Sequence, residues 1–515
     1  MNVKIVDPYL WGETTLRKRT LVTAIAVTSA CLAGTVTPAV AAPAGGKAAV
    51  KAPAKNSADF NRDGYRDLVI TAPMNAVAGA PAGGGAVVVL YGSAKGVDPA
   101  KRQIISQEST GVPGSSEYAD RFGTRTASGD YDGDGYADLA VSISGEDMTI
   151  GGVYRRNAGQ IVIVWGGKNG LVKHGTTTVK QLPITGADVR RGSALAAGDF
   201  NGDGKTDLAT GDYSQGRGGE VLYGPITRKG QPKSTINLGL KDGQTYVHPS
   251  LDSGDVTGDG ISDLVVQVFS GRGTLSRIEV HRGTKKGLIR TGNLKDAQGK
   301  LLESFGAGRT AVGDLDKDGH ADIVIGQRHI SPEGLKAVGQ ITVVYGGKNG
   351  QSADRPVQVL SQDTEGVPGV GEDYDSFGQS VAVDDINGDG YADVAVGATA
   401  DYDEGPRAGE VITLFGSAKG LTGEGGKVYD QAALGTAGNH VYDLFGAEVK
   451  LTDLNGDRRA ELLVGAPKAN KDQGRISLLP GSSTGTTVVG AKVFGPTDVG
   501  LPGYAENGFG WSFGE

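Results

Sequence analysis

One nine-residue segment recurs seven times and governs what this 515-residue chain can become. The copies are DFNRDGYRD from Asp59, DYDGDGYAD from Asp130, DFNGDGKTD from Asp199, DVTGDGISD from Asp255, DLDKDGHAD from Asp314, DINGDGYAD from Asp385 and DLNGDRRAE from Asp453. Their starts lie 71, 69, 56, 59, 71 and 68 residues apart. Each is followed at once by a short Val-, Ile- and Leu-rich run, such as LVITAP, LVVQVF or LLVGAP. Runs of that length and composition read as buried strands.

Some twelve to twenty residues on comes a second apolar run ending in a glycine turn: VVVLYGSAKG, IVIVWGGKNG, ITVVYGGKNG and VITLFGSAKG, with weaker forms GEVLYGP and IEVHRGTKKG in the third and fourth units. About eight residues before most acidic loops stands Phe-Gly, at Phe122-Gly123, Phe305-Gly306, Phe377-Gly378 and Phe445-Gly446. The third and fourth units have Arg191-Gly192 and Val247-His248 there instead. The unit is therefore strand, acidic loop, strand, longer loop, strand, glycine turn, strand.

Four short strands cannot bury both faces alone and must stack on neighbouring copies. Radial closure hides most strand edges, so the expected fold is all-β, a seven-bladed β-propeller. The first loop has no Phe-Gly strand before it, whereas GFGWSFGE at the C-terminus has no acidic loop after it. The C-terminal strand is thus expected to close the first blade. Glycine, at 86 of 515 residues, excludes a helix-rich chain, because each helical glycine costs about 1 kcal/mol.

Residues 1–41 read as a secretory signal peptide: Arg17, Lys18 and Arg19, the apolar run LVTAIAVTSACLAG, then Ala39-Val40-Ala41 as a small-residue cleavage site. The apolar run is too short to span a membrane, which takes about 20 residues. Residues 42–56 form a flexible linker and residues 57–515 the propeller. The one cysteine, Cys31, lies in the leader, so residues 42–515 carry no disulfide or thiolate chemistry. A net charge of -8 with no basic stripe argues against nucleic-acid binding.

The seven loops hold 23 of the 59 carboxylates within 63 residues. That density calls for a counter-cation. Oxygen groups stand at alternate positions 1, 3 and 5: Asp59, Asn61, Asp63; Asp130, Asp132, Asp134; Asp199, Asn201, Asp203; Asp255, Thr257, Asp259; Asp314, Asp316, Asp318; Asp385, Asn387, Asp389; Asp453, Asn455, Asp457. Position 9 returns a further carboxylate from Asp67, Asp138, Asp207, Asp263, Asp322, Asp393 or Glu461. Glycine at position 6 permits the sharp turn, and flexible oxygen ligands suit Ca2+ better than Mg2+. Position 12 is Ile70, Val141 or Val396 rather than glutamate, which excludes an EF-hand. The plain alternative is a set of Asx-rich turns that satisfy their own backbone. Up to seven structural calcium ions are expected, the seventh site being weakest or empty because Arg458 replaces its turn glycine.

The Phe-Gly strand, the acidic loop and endings such as LLVGAP resemble the FG-GAP repeats of the integrin alpha-subunit propeller and its bacterial relatives, over residues 57–515. The resemblance implies that positions 1, 3, 5 and 9 give side-chain ligands. It adds a backbone carbonyl from position 7, namely Tyr65, Tyr136, Lys205, Ile261, His320, Tyr391 or Arg459. It also implies adhesion, with the partner on the face opposite the calcium loops. Candidates there are Tyr118, Tyr154, Arg155, Arg156, His329, Tyr402, Arg407, Tyr442 and Tyr504, aromatics and arginine being favoured at hot spots.

The expected function is a secreted, calcium-binding, monomeric module for binding or adhesion to an extracellular protein or cell-surface glycan. A lectin-like glycan binder is one alternative. A hydrolase or lyase with a top-face or central pocket is another. A literal GxSxG occurs at Gly481–Gly485, but the same slot reads GSAKG or GGKNG in other units and no helix signal follows, so it reads as a turn and not a nucleophile elbow. The six histidines form no close metal pair.

Overall fold

The computed structural model describes residues 58–75, 83–171, 175–183, 188–213, 218–240, 247–270, 276–304, 309–331, 335–399, 409–435, 442–503 and 508–514. The segments expected to be leader and linker, and Phe305-Gly306, lie outside them.

The chain is an all-β, seven-bladed propeller with almost no helix. Short apolar runs form the second strand of every blade, Val-, Ile- or Leu-rich in all but the third, where it is DLATG, and each blade pairs its strands antiparallel in chain order. The second blade, for example, runs Phe122–Gly129, Asp138–Ile143, Gln160–Val164 and Thr176–Thr178. Strands Asp138–Ile143, Asp322–Gln327, Asp393–Ala398 and Glu461–Ala466 are buried throughout. They have a blade packed on each face, so no alternation of polar residues is required. First strands of successive blades, such as Ala194–Gly198 and Val247–Gly254, lie side by side around the centre.

The first blade holds Leu68–Ala72, Ala86–Leu90 and Arg102–Ile105. Its missing inner strand comes from the far end of the chain: Ile70 bridges Phe513, and the Gly514 N–H donates to the Val69 carbonyl at 2.9 Å. The expected C-terminal closure is therefore present.

The core lies between blades. Phe122, Phe377, Phe445 and Phe509 are fully buried; Phe122, for instance, joins Val87 and Val89 of the preceding blade and Leu139 and Val141 of its own. The Phe122 N–H donates to the Gly84 carbonyl at 2.9 Å. Gly85 there has φ of 84°, and a β-carbon on it would fall 2.4 Å from the Phe122 carbonyl oxygen, so the close approach of the blades requires glycine. In the third blade Arg191 takes the Phe position and is 5 % exposed. Its Nε lies 3.5 Å from Glu220 Oε1: an ion pair replaces the aromatic anchor. In the fourth blade the strand Val247–Gly254 forms without one.

Candidate metal centres

Each acidic loop is built from the same overlapping turns. In the first, Asp59 accepts the Asp63 N–H at 3.1 Å on Oδ1 and the Gly64 N–H at 2.9 Å on Oδ2. Asn61 Oδ1 accepts the Asp63 N–H at 2.9 Å, and Asp63 Oδ1 accepts the Tyr65 N–H at 3.0 Å. Such bonds hold the first, third and fifth side chains around one bend. The position-6 residue carries positive φ in all seven loops, from Gly64 at 96° to Arg458 at 68°. The seventh loop thus keeps the backbone of the others despite its arginine: Arg458 N–H still donates to Asp453 Oδ2 at 2.9 Å.

Two anchors fix every loop to the blade. At position 2, Phe60, Tyr131, Phe200, Val256, Leu315, Ile386 and Leu454 are fully buried. At position 9 the carboxylate accepts two backbone N–H groups in the first six loops and one in the seventh, where Asn455 Nδ2 donates to the other oxygen of Glu461. Asp138 Oδ2 takes that of Tyr131 at 2.9 Å and Oδ1 that of Gly166, at the end of the third strand, at 2.8 Å. Asp67, Asp207, Asp322 and Asp393 do the same with Phe60 and Gly92, Phe200 and Gly224, Leu315 and Gly346, Ile386 and Gly416. Asp263 uses Thr257 and Gly283, and Glu461 takes Leu454 N–H. Burial pushes Asp67, Asp138, Asp207, Asp322, Asp393 and Glu461 up to about 7 and Asp263 to about 6, against the lowering effect of those N–H bonds.

In the two loops with aspartate at all four positions, carboxylate oxygens of Asp130, Asp132 and Asp138, and of Asp314, Asp316 and Asp322, come within 4.8 Å of one another. An oxygen-only set of that kind fits a hard divalent ion. Among the described residues no other acidic triplet converges so closely; Asn61, Asn201, Thr257, Asn387 and Asn455 offer neutral oxygens at position 3. Position 5 stays outside the converged sets. Arg228 bridges Asp132 Oδ2 at 2.7 Å and Asp134 Oδ2 at 2.8 Å while lying 5.4 Å over the Trp165 ring. Arg355 pairs with Asp316 and lies 4.1 Å over Tyr345, Lys233 reaches Asp203 at 2.8 Å and Arg282 reaches Asp259 at 2.7 Å. The loop repeat alone did not reveal these bases, which come from the end of a third strand, Arg282, and from the connections between third and fourth strands, Arg228, Lys233 and Arg355. Solvent screens such partly exposed pairs, and they contribute little to stability.

The loops also touch one another. The side chain at position 7 of each loop lies against position 4 of the loop before it. Tyr136 meets Arg62, and Tyr391 meets Lys317, as cation–ring pairs at 6.0 and 5.2 Å. Lys205, Ile261, His320, Arg459 and Tyr65 approach Gly133, Gly202, Gly258, Gly388 and Gly456, where a β-carbon would stand 2.6–3.2 Å from them. The series closes on itself, an arrangement that the resemblance, which assigns position 7 only a carbonyl, does not include.

On the opposite face Tyr118, Tyr154, Arg156, His329 and Tyr442 are exposed and Arg155 is half-buried. Tyr154 tips a hairpin of Met148–Ile150 and Val153–Arg155, and its hydroxyl donates to Asp147. Tyr402, Arg407 and Tyr504 lie outside the described residues. The GxSxG segment is a turn: Ser482 Oγ donates to the Gly485 carbonyl at 2.6 Å, as Ser93 does to Gly96 and Ser417 to Gly420.

The FG-GAP repeat family matches residues 57–90, 122–164, 191–222, 377–414 and 445–479. Integrin alpha-PS2 of Drosophila melanogaster is 27% identical over 222 residues, covering 40% of this chain and 15% of that protein. Integrin alpha-5 of Xenopus laevis is 28% identical over 223 residues, covering 40% and 20%. Phosphatidylinositol-glycan-specific phospholipase D of Bos taurus is 28% identical over 266 residues, covering 49% and 30%. The chain therefore spans less than a third of the length of each. A rhamnogalacturonan lyase from Bacillus licheniformis overlays 82% of this chain and 76% of its own at 13% identity, with a TM-score of 0.26, too low to bear on chemistry.

Proposed function

This chain carries FG-GAP repeats on an integrin alpha-like β-propeller, and from that premise we propose a secreted, calcium-stabilised module that binds a protein or glycan outside the cell. Residues 1–41 act as the export signal and the propeller works as a monomer. No helix among the described residues is long and apolar enough to cross a membrane.

One observation carries the reading. Seven equivalent loops lie at one end of the blades, and in two of them three carboxylates converge on a common point. Asp130, Asp132 and Asp138, with Asp314, Asp316 and Asp322, hold calcium in those loops, and the remaining loops add the neutral oxygens of their asparagines and of Thr257. Bound there, the ion supplies positive charge that holds the bend closed. With dissociation constants near 0.1 mM and about 1 mM calcium, each site adds roughly 1.4 kcal/mol. The other face is left to recognition by loops on a rigid scaffold, with Tyr118 and Tyr154 as its most exposed aromatics among the described residues.

The test is capture of residues 42–515 on glycan arrays and by cell-surface protein extracts, with calcium or with EGTA. Capture in calcium that falls with the Tyr118→Ala/Tyr154→Ala double variant is expected. Capture that is the same for both chains removes the assignment of that face. Equilibrium dialysis finding no bound calcium removes the metal.

A further inference from the structure

The sharpest unexplained chemistry lies between the first and second blades, at the end of the blades away from the acidic loops. Gln107, in the connection between these blades, is 3 % exposed. Its Nε2 donates to Glu146 Oε2 at 2.8 Å, which fixes the amide's orientation. The other end, Oε1, is buried with no hydrogen-bond partner. A buried carbonyl oxygen left unmatched costs about 1–3 kcal/mol.

What surrounds it is acidic. The charges that act most on Glu146 are those of Asp120, Glu117 and Asp147. Asp120 is 2 % exposed and accepts the Glu117 N–H at 2.6 Å. Asp147 accepts from Asn157 N–H and from the Tyr154 hydroxyl. Among the described residues no basic side chain pairs with Glu146 or Asp120. The spot therefore presents acceptors and negative charge together. A water would satisfy the acceptors, whereas a cation would also take the place of the proton that burial and the neighbouring carboxylates favour on Glu146.

The glutamine and its carboxylate partner occur a second time. Residues 106–114, SQESTGVPG, recur as SQDTEGVPG at 361–369. Gln362, also 3 % exposed, donates from Nε2 to Glu410 Oε1 at 2.7 Å and again has a partnerless Oε1. In both copies a glycine frames the amide: a β-carbon on Gly114 or Gly369 would stand 3.1 or 2.9 Å from the glutamine Nε2.

We propose that Gln107 Oε1 and the Glu146 carboxylate form a divalent-cation site of their own, separate from the acidic loops, with a twin at Gln362 and Glu410. It ties the connection before the second blade to the loop that carries the Tyr154 hairpin. This links a hard cation to the recognition face as well as to the loop face.

Crystals of residues 42–515 soaked in manganese chloride test it by anomalous difference maps, on the intact chain and on a Glu146→Gln variant. Expected is a peak within about 2.6 Å of Gln107 Oε1, lost in the variant while peaks at the Asp130 and Asp314 loops persist. Solvent density without an anomalous signal at Gln107 overturns the proposal, and so does a peak that survives in the Glu146→Gln chain. Failure of the acidic loops to bind manganese is a separate result and concerns the function proposed above.

Discussion

Tyr65 of the first acidic loop lies against Gly456 of the seventh, with its Cε1 3.2 Å from the point a β-carbon on Gly456 would occupy. The first loop thus meets the seventh at the loop face, while the Ile70–Phe513 bridge brings the C-terminal strand into the first blade's own sheet. Tyr65→Ala should lower stability by about 1 kcal/mol, the ordinary cost of losing a half-buried contact. Urea denaturation reads it, and an unchanged midpoint would show that the loops close without the ring.

Acidity should stabilise the chelated protein. Asp67, Asp138, Asp207, Asp322 and Asp393 sit at about 7 in the fold, above the ordinary aspartate value of 3.8, because burial disfavours the charged form. The folded chain therefore holds more protons between those values. The resulting stability is complete below about pH 4 and is lost as pH rises through about 7. In EGTA, Tm should be higher near pH 5.5 than near pH 8. Calcium, taking the place of the protons, should narrow or reverse that difference. A chelated Tm that rises with pH overturns this.

Within the second loop, two aspartates should separate into different roles. Asp138 accepts backbone N–H groups on both oxygens, and asparagine has one acceptor only. Asp138→Asn should therefore cost about 1–3 kcal/mol with or without calcium. Asp132 meets solvent and Arg228, so Asp132→Asn should reduce the calcium-induced rise in Tm and leave the chelated Tm nearly unaltered. Equal losses in EGTA would contradict this division.

Arg458 has φ of 68° where six loops place glycine. A left-handed backbone at a residue with a β-carbon costs roughly 1–2 kcal/mol. Arg458→Gly should stabilise the protein by about 1 kcal/mol and strengthen calcium binding at the seventh loop. Isothermal titration and chemical denaturation read the two effects, and a destabilised variant would mean that the arginine side chain has a role of its own.

The buried Arg191–Glu220 pair should not tolerate removal of one member. Arg191→Ala removes the Arg191 guanidinium from Glu220, which is 2 % exposed, at a cost of about 3–5 kcal/mol. Replacing both, as Arg191→Phe with Glu220→Gln, should recover most of it. A double variant as unstable as Arg191→Ala would rule out an uncompensated charge as the cause.

The blade count, the seam and the position of each acidic loop were legible because they rest on local repetition: an Asx turn at Asp59 or Asp130 is written within nine residues. Position 9 was harder. Sequence spacing makes Asp67 a metal ligand, whereas the fold also makes it a clamp on Phe60 and Gly92, and Gly92 belongs to a different loop. Arg228 on Asp132 was illegible for a stronger reason, since 96 residues separate them and only the packing of blades brings them together. Arg191 was visible as a departure from Phe-Gly, but its partner Glu220 needed the paired third strand. The Gln107 and Gln362 segments are a readable repeat that the acidic motif overshadowed.

The bridge from Ile70 to Phe513 also sets a timetable for synthesis. Leu68–Ala72 and its two partners leave the ribosome early, yet the strand that completes their sheet is translated only after the other six blades. Through most of elongation that edge has no neighbour, an invitation to pair with another chain. Trimming the final few residues should therefore reveal itself first as clumping of the nascent product, well before any ligand assay registers the loss.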